Sequence, residues 1–265
     1  VVVAEINMVC NNTNRLLLQF HITGRCNLRC KHCYRTEGNV QPLTTEMVLH
    51  VIDQFAALQE RYNQIHRLKK RGHINITGGE PFIREDIDRI LDHLGSYREQ
   101  LSFGVLSNGS FLDESRIKVL KKNGAAFVQL SIDGNREMHD SLRAPGDYDR
   151  TFGIARMLEQ HGIHSYISFT ANQSNYIYLP QVATECRRFG ITKLWTDRLV
   201  PIGNGEQLQE LAISKELLPA YLKTIKKAQG TKNHVEMQDG VKVCYLRSID
   251  VKVYPDQIHA VPEKA

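Results

Sequence analysis

Three cysteines stand at positions 26, 30 and 33, inside the run Gly24-Arg25-Cys26-Asn27-Leu28-Arg29-Cys30-Lys31-His32-Cys33-Tyr34. Three thiolates can hold a four-iron cluster and leave one iron without a protein ligand. Such an iron can bind a substrate or cofactor, whereas a cluster tied to protein at every iron only passes electrons. The trio with His32 also satisfies a Cys3His zinc site, although zinc ligands usually come as two paired knuckles. Cys10, Cys186 and Cys244 are scattered. Cys186 shares a helical face with Val182 and Ala183, which predicts a small buried hydrophobe. Six cysteines without a secretory leader read as ligands or buried thiols, not as a disulfide framework.

These residues need a scaffold, and the chain alternates two kinds of segment. Strands are predicted at 15–23, 73–77, 101–107, 125–132, 163–171 and 192–200, rich in β-branched and aromatic residues and bounded by Gly, Asn or Asp. Between them apolar residues recur at helical spacing: Val48, Val51, Ile52, Phe55 and Leu58 with Thr44 as N-cap, then Ile87, Ile90, Leu91 and Leu94, and later Ile117 with Leu120 and Ile154 with Leu158. A further helix follows from Leu218, Tyr221, Leu222 and Ile225. Strand–helix pairs in succession imply a parallel sheet with right-handed crossovers.

Each strand runs into a polar or glycine-rich signature. The cysteine run follows the first, Gly78-Gly79-Glu80-Pro81 the second, Ser107-Asn108-Gly109 the third, Asp133-Gly134 the fourth, Asn172-Gln173-Ser174-Asn175 the fifth and Pro201-Ile202-Gly203-Asn204-Gly205 the sixth. Barrels gather their sites on that one face. The expectation is therefore an α/β fold, a partial (β/α)6 TIM-like barrel with a short C-terminal extension. The expected division is an N-terminal segment at 1–14, the barrel at 15–229 and an extension at 230–265, where 235–245 and 249–254 read as short strands of a hairpin.

Composition narrows the class. Hydrophobic residues make up 42% of 265, enough for a large core. No run of 18 or more apolar residues occurs, so a soluble, cytoplasmic protein without a membrane partner is expected. A net charge of +5, from 34 basic and 29 acidic residues without a long single-sign block, gives no reason to expect nucleic acid.

The cysteine run resembles the signature of the radical S-adenosylmethionine (radical SAM) enzymes, and the likeness continues from about position 15 to 205. Gly78-Gly79-Glu80-Pro81 is similar to that family's motif for the amino group of the bound methionine moiety. Ser107-Asn108-Gly109 and Ser131-Ile132-Asp133-Gly134 with Arg143 are similar to its third- and fourth-strand motifs, and Leu199-Val200-Pro201-Ile202-Gly203 to its sixth-strand adenine contact. The resemblance implies a [4Fe-4S] cluster on Cys26, Cys30 and Cys33. It also implies S-adenosylmethionine held by His32, Tyr34, Gly78, Gly79, Glu80, Pro81, Ser107, Asn108, Ser131, Asp133, Arg143 and Val200. Reductive cleavage would yield a 5′-deoxyadenosyl radical that takes hydrogen from a substrate. The residues fit this physically: glycines let backbone come close, Glu80 can accept from an ammonium, and Ser107, Asn108, Ser131 and Arg143 can donate to carboxylate and ribose oxygens.

The Cys33-Tyr34 ending and the Val-Pro-Ile-Gly-Asn-Gly stretch look most like the peptide-modifying SPASM or twitch branch. That implies a ribosomally made peptide substrate, crosslinked or epimerised, and a flavodoxin- or ferredoxin-type electron donor. A small-molecule rearrangement is the alternative, and a non-catalytic iron–sulfur or zinc protein a third reading. The SPASM pattern brings an auxiliary iron–sulfur cluster, but beyond the sixth strand this chain offers only Cys244 as ligand or hydrogen donor; after Val253-Tyr254-Pro255, where the pattern leads to a cysteine, Asp256 stands instead.

Overall fold

The computed structural model describes residues 4–7, 16–35, 43–229 and 242–245. Eight strands form one sheet in chain order. All six expected strands are present, as β2 (Leu17–Thr23), β3 (Gly72–Gly78), β4 (Leu101–Leu106), β5 (Ala125–Ser131), β6 (His164–Ala171) and β7 (Lys193–Arg198). Each is parallel to the next. β1 (Ala4–Asn7) adds an antiparallel edge that the sequence reading did not include. β8 (Lys242–Tyr245) joins β7 in parallel, so this part of the extension continues the sheet. The other expected arm, 249–254, lies outside the described residues.

The helices are α1 (Thr45–His66), α2 (Ile87–Ser96), α3 (Glu114–Lys122), α4 (Arg136–Leu142), α5 (Asp147–Gln160), α6 (Leu179–Arg188) and α7 (Leu218–Gln229). α1 begins where Thr44 accepts from the backbone N–H of Met47 at 3.2 Å, as its N-cap position requires. It stops at Arg67, whose φ of 53° is left-handed. α4 is an extra element: it occupies the turn between Asp133-Gly134 and Arg143, where no apolar periodicity announced it.

Burial alternates along the strands, because successive side chains point to opposite faces. In β2, Leu18, Phe20 and Ile22 are buried while Gln19, His21 and Thr23 are partly open. The apolar set packs under the helices with Val48, Ile52, Ile90, Leu91, Ile117, Leu158 and Val182, all fully buried. Cys186 is sealed in the same core, and burial pushes its thiol well above the usual range. The other strand face lines the barrel lumen. At its N-terminal end a plug closes it: His73 stacks on Phe127 (5.5 Å), Phe127 on Tyr166 (4.3 Å), and Lys193 covers Tyr166 at 5.4 Å. Gly104 makes room for the Phe127 ring, which a Cβ there would meet at 2.4 Å. What remains is a chamber open toward the strand C-termini.

Candidate active site

That chamber has a volume of about 890 Å³ and takes in Cys26, Cys30 and Cys33 together with His32 and Tyr34. From the other loops come Gly78, Gly79, Ser107, Asn108, Ser131, Arg143 and Val200. The tertiary structure thus gathers residues spread over 175 positions (26 to 200) onto one wall. Glu80, Pro81 and Asp133 are not on it. All three are buried behind the surface they were expected to present.

The loops are joined backbone to backbone. Gly79 N–H donates to Thr23 O and Glu80 N–H to Arg25 O, both at 2.9 Å. A Cβ on Gly79 would stand 2.2 Å from Arg25 O, and one on Gly78, at φ 149°, 2.4 Å from Thr23 O. The two glycines therefore serve a close approach of the chain to its own cysteine loop. Glu80 faces the same way. Its carboxylate accepts from Phe82 N–H (3.1 Å), Ser107 hydroxyl (2.9 Å) and Asn108 N–H (2.7 Å). Burial raises its pKa against the pull of those donors. It ties the second motif to the third. The Ser107 hydroxyl, which also accepts from Gly109 N–H at 2.9 Å, is engaged within the protein. The Asn108 amide donates to Asn27 at 2.9 Å and reaches Cys26 Sγ at 3.8 Å.

Asp133 is the hub of the opposite side. Its Oδ2 lies 2.6 Å from Arg143 Nε and 3.2 Å from His32 Nε2, and its Oδ1 accepts from Thr170 N–H at 2.8 Å. Burial alone would raise its pKa, but Arg143 and His32 outweigh it and hold the carboxyl well below the usual range. Arg143 is oriented by this pair toward Cys30 Sγ, 3.9 Å away. The Cys30 thiol is pushed up to about 11, by burial first and by Asp133, Cys33 and Cys26 besides, against the Arg143 charge. Behind the hub, His139 Nδ1 accepts from Asp133 N–H at 3.1 Å, so its Nε2 carries the proton toward Asp147 at 3.1 Å. His139, wholly buried, positions the loop.

The last motif closes the ring. Gly205 N–H donates to Cys33 O at 3.1 Å, and Gly203, at φ 62°, lies so near Tyr34 that a Cβ would meet its carbonyl at 2.4 Å. Val200 is exposed at the rim. Cys244 falls in β8, level with Trp195 in the register; its side chain lies outside the described residues.

Other wall residues were not singled out in the sequence: Gln19, His21, Gln129, Ser168, Trp195 and Asp197. A signal existed, since polar residues two apart interrupt otherwise apolar strands, as at Gln19 and His21 or Gln129 and Ser131. Burial, with the nearby Arg35 charge, lowers the His21 ring to about 4.

The donor set fits an iron–sulfur cluster. Three half-buried thiols come from one loop. Cys26 Sγ receives Leu28 N–H at 3.5 Å as well as the Asn108 amide, and Cys30 faces a guanidinium, so each of these two sulfurs has a donor beside it. His32, the fourth ligand of a zinc site, is turned to Asp133 through Nε2, and its buried Nδ1 has no protein partner. An adjoining ligand would meet that orphaned atom.

Comparison with known proteins agrees with this geometry. The family model described as the radical SAM superfamily matches residues 20–182. Fe-coproporphyrin III synthase of Methanosarcina barkeri is 30% identical, over 74% of this chain and 47% of its own length. Mycofactocin maturase MftC of Mycolicibacterium smegmatis is 29% identical, over 72% and 46%. The chain thus spans about half the length of the curated relatives it matches. Among solved structures, Streptococcus suis SuiB bound to S-adenosylmethionine shares the fold, with a TM-score of 0.65 at 14% identity over 88% of this chain and 52% of SuiB. SuiB bound to its precursor peptide SuiA gives 0.57 at 16% identity over 70% and 39%. With the model match covering more than half of its length, the chain belongs to the radical SAM superfamily.

Proposed function

We propose that Cys26, Cys30 and Cys33 hold a [4Fe-4S] cluster, that the adjoining wall seats S-adenosylmethionine, and that the substrate is a ribosomally made peptide. The observation that carries this reading is the meeting of the thiols, the motif loops and a closed-bottomed polar lumen in one chamber. When bound, the cluster and S-adenosylmethionine supply one-electron cleavage of a sulfonium and a carbon-centred radical able to take hydrogen from a substrate.

The chain's own part is placement. Leu28 N–H and the Asn108 amide reach Cys26 Sγ and Arg143 reaches Cys30 Sγ, donors that would stay on the sulfurs once a cluster binds. Asp133 fixes Arg143 and the His32 ring, whose buried Nδ1 is left without a protein partner. Glu80 acts indirectly: its carboxylate ties the Phe82 and Asn108 backbones together, and the Asn108 side chain then reaches Asn27 and Cys26. The plug of Phe127, Tyr166 and Lys193 shuts the lumen from below and keeps a reactive intermediate from water. Arg25, Arg29 and Lys31 are exposed on the cysteine loop, with no acidic residue between positions 24 and 35. Such a collar suits an acidic flavodoxin- or ferredoxin-type donor.

Likeness to MftC, named a maturase, and to SuiB, captured with a precursor peptide, favours a peptide. The 30% identity to Fe-coproporphyrin III synthase favours a small molecule as the second reading. Anaerobic reconstitution should give about four irons per chain and reductant-dependent 5′-deoxyadenosine, both lost in Cys33→Ala. Deoxyadenosine formation surviving in that variant would overturn the ligand set. Co-expression with a short peptide encoded beside the gene, followed by mass spectrometry, tests the substrate class. An unmodified peptide alongside turnover of a tetrapyrrole would decide for the second reading.

A further inference from the structure

Most polar groups that the motifs bring to the chamber are already engaged within the protein. Ser107 is bound to Glu80 and Gly109, Arg143 to Asp133, and Ser131 to Ser168 at 2.9 Å. Two side chains deeper in the lumen differ. Gln129 lies one pleat below Ser131, and its Oε1 accepts from the indole N–H of Trp195 at 3.0 Å. Because an indole nitrogen only donates, the oxygen of Gln129 must face Trp195, and its NH2 group faces elsewhere. Gln19 lies one pleat below His21, and its Oε1 accepts from Asn75 Nδ2 at 3.2 Å. Asn75 Oδ1 lies 3.0 Å from His73 Nε2, and His73 Nδ1 2.7 Å from the Ser102 hydroxyl. Both glutamines line the chamber. Neither NH2 group has a protein partner among the described residues.

We infer that the Gln19 and Gln129 amides are a substrate subsite that receives carbonyl or carboxylate oxygens. This rests on the chamber being the substrate site, and it deepens that reading by naming the recognised chemistry. Each glutamine spends its oxygen on a fixed partner in the wall, so what it offers the lumen is a pair of N–H donors. Water in the open chamber can satisfy these donors, and a substrate oxygen can take its place, while an ammonium or an alkyl group cannot. Both glutamines stand two residues before His21 and Ser131 on their strands, so they line the chamber deeper than the loops that carry the motifs.

Two probes separate the sources of that oxygen: N-acetylglycine N-methylamide, a neutral peptide unit, and N-acetylglycine, a carboxylate. Their binding to the reconstituted protein is followed by saturation-transfer NMR. Gln19→Glu and Gln129→Glu keep the oxygen that Asn75 and Trp195 require and replace the donors by a second oxygen. Saturable binding of at least one probe, weakened about tenfold or more in each variant, the weight of a lost hydrogen bond, is the expected result. Gln129→Met, which adds no charge, should show the same loss, and a melting temperature near that of the parent shows that a variant has folded. No saturable binding of either probe to the parent chain, or undiminished binding to folded variants, overturns the subsite. Deoxyadenosine formation by the parent chain, measured separately, tests the underlying reading.

Discussion

Asp133 and Arg143 show how a charged pair can be both buried and necessary. The carboxylate is fully enclosed and the guanidinium nearly so, at 0% and 11% side-chain exposure, and each would be costly alone. Asn at 133 preserves the shape and the acceptor for Thr170 N–H but leaves Arg143 without a counter-charge. Removing one member of such a pair typically costs about 3–5 kcal/mol, so Asp133→Asn should unfold at markedly lower urea concentration. Because the Asp133 pKa is depressed, its stabilisation is present above the ordinary carboxylate pKa and is lost only as the pH falls through its lowered folded value. The deficit of Asp133→Asn should thus persist at both pH 7 and pH 5, above the ordinary carboxylate pKa. A variant as stable as the parent would remove Asp133 from its place as organiser of the cysteine wall.

At the scale of elements, the site is a set of loops held against the cysteine segment by hydrogen bonds from the segments after β3 and β7, at positions where a side chain would intrude. Gly203 and Gly190 make a natural comparison. Both are left-handed, at φ 62° and 71°, but only Gly203 has backbone within 2.4 Å of a would-be Cβ, whereas Gly190 has nothing within 4 Å. Gly190→Ala should cost only the backbone term of about 1–2 kcal/mol. Gly203→Ala should add about 1–3 kcal/mol of overpacking and displace Tyr34. In the metal-free protein, Cys33 should then react faster with a thiol reagent in Gly203→Ala and at the parental rate in Gly190→Ala. Equal rates in both variants would mean that the segment after β7 does not hold the cysteine loop.

For the whole molecule, the net charge of +5 is small, but its placement matters. Arg25, Arg29 and Lys31 surround the thiols, with Arg198 exposed on the same chamber. A field of one sign around a cleft speeds encounter with an opposite partner and is screened by salt. Reduction of the reconstituted protein by an acidic flavodoxin should therefore slow as ionic strength rises, with a weaker dependence in Arg25→Gln/Lys31→Gln. A rate indifferent to salt would argue against an acidic donor at this face. No helix among the described residues is long and apolar enough to cross a membrane.

Residue types and spacing by themselves determined the thiol trio, the six central strands and the loops that carry the motifs. These rest on local patterns: period-two burial, helical apolar spacing, and Gly or Asn where strands end. The tertiary structure alone decided which way each polar group faces. Glu80 and Asp133 have the composition of ligand contacts, yet they turn inward, because both carboxylates find their donors in neighbouring loops distant in sequence. Gln19 and Gln129 carried no motif, yet they face the lumen with their donors unspent. A side chain's partner depends on which strands close beside it, and that is settled only when the sheet has curled and β2 through β7 share one interior.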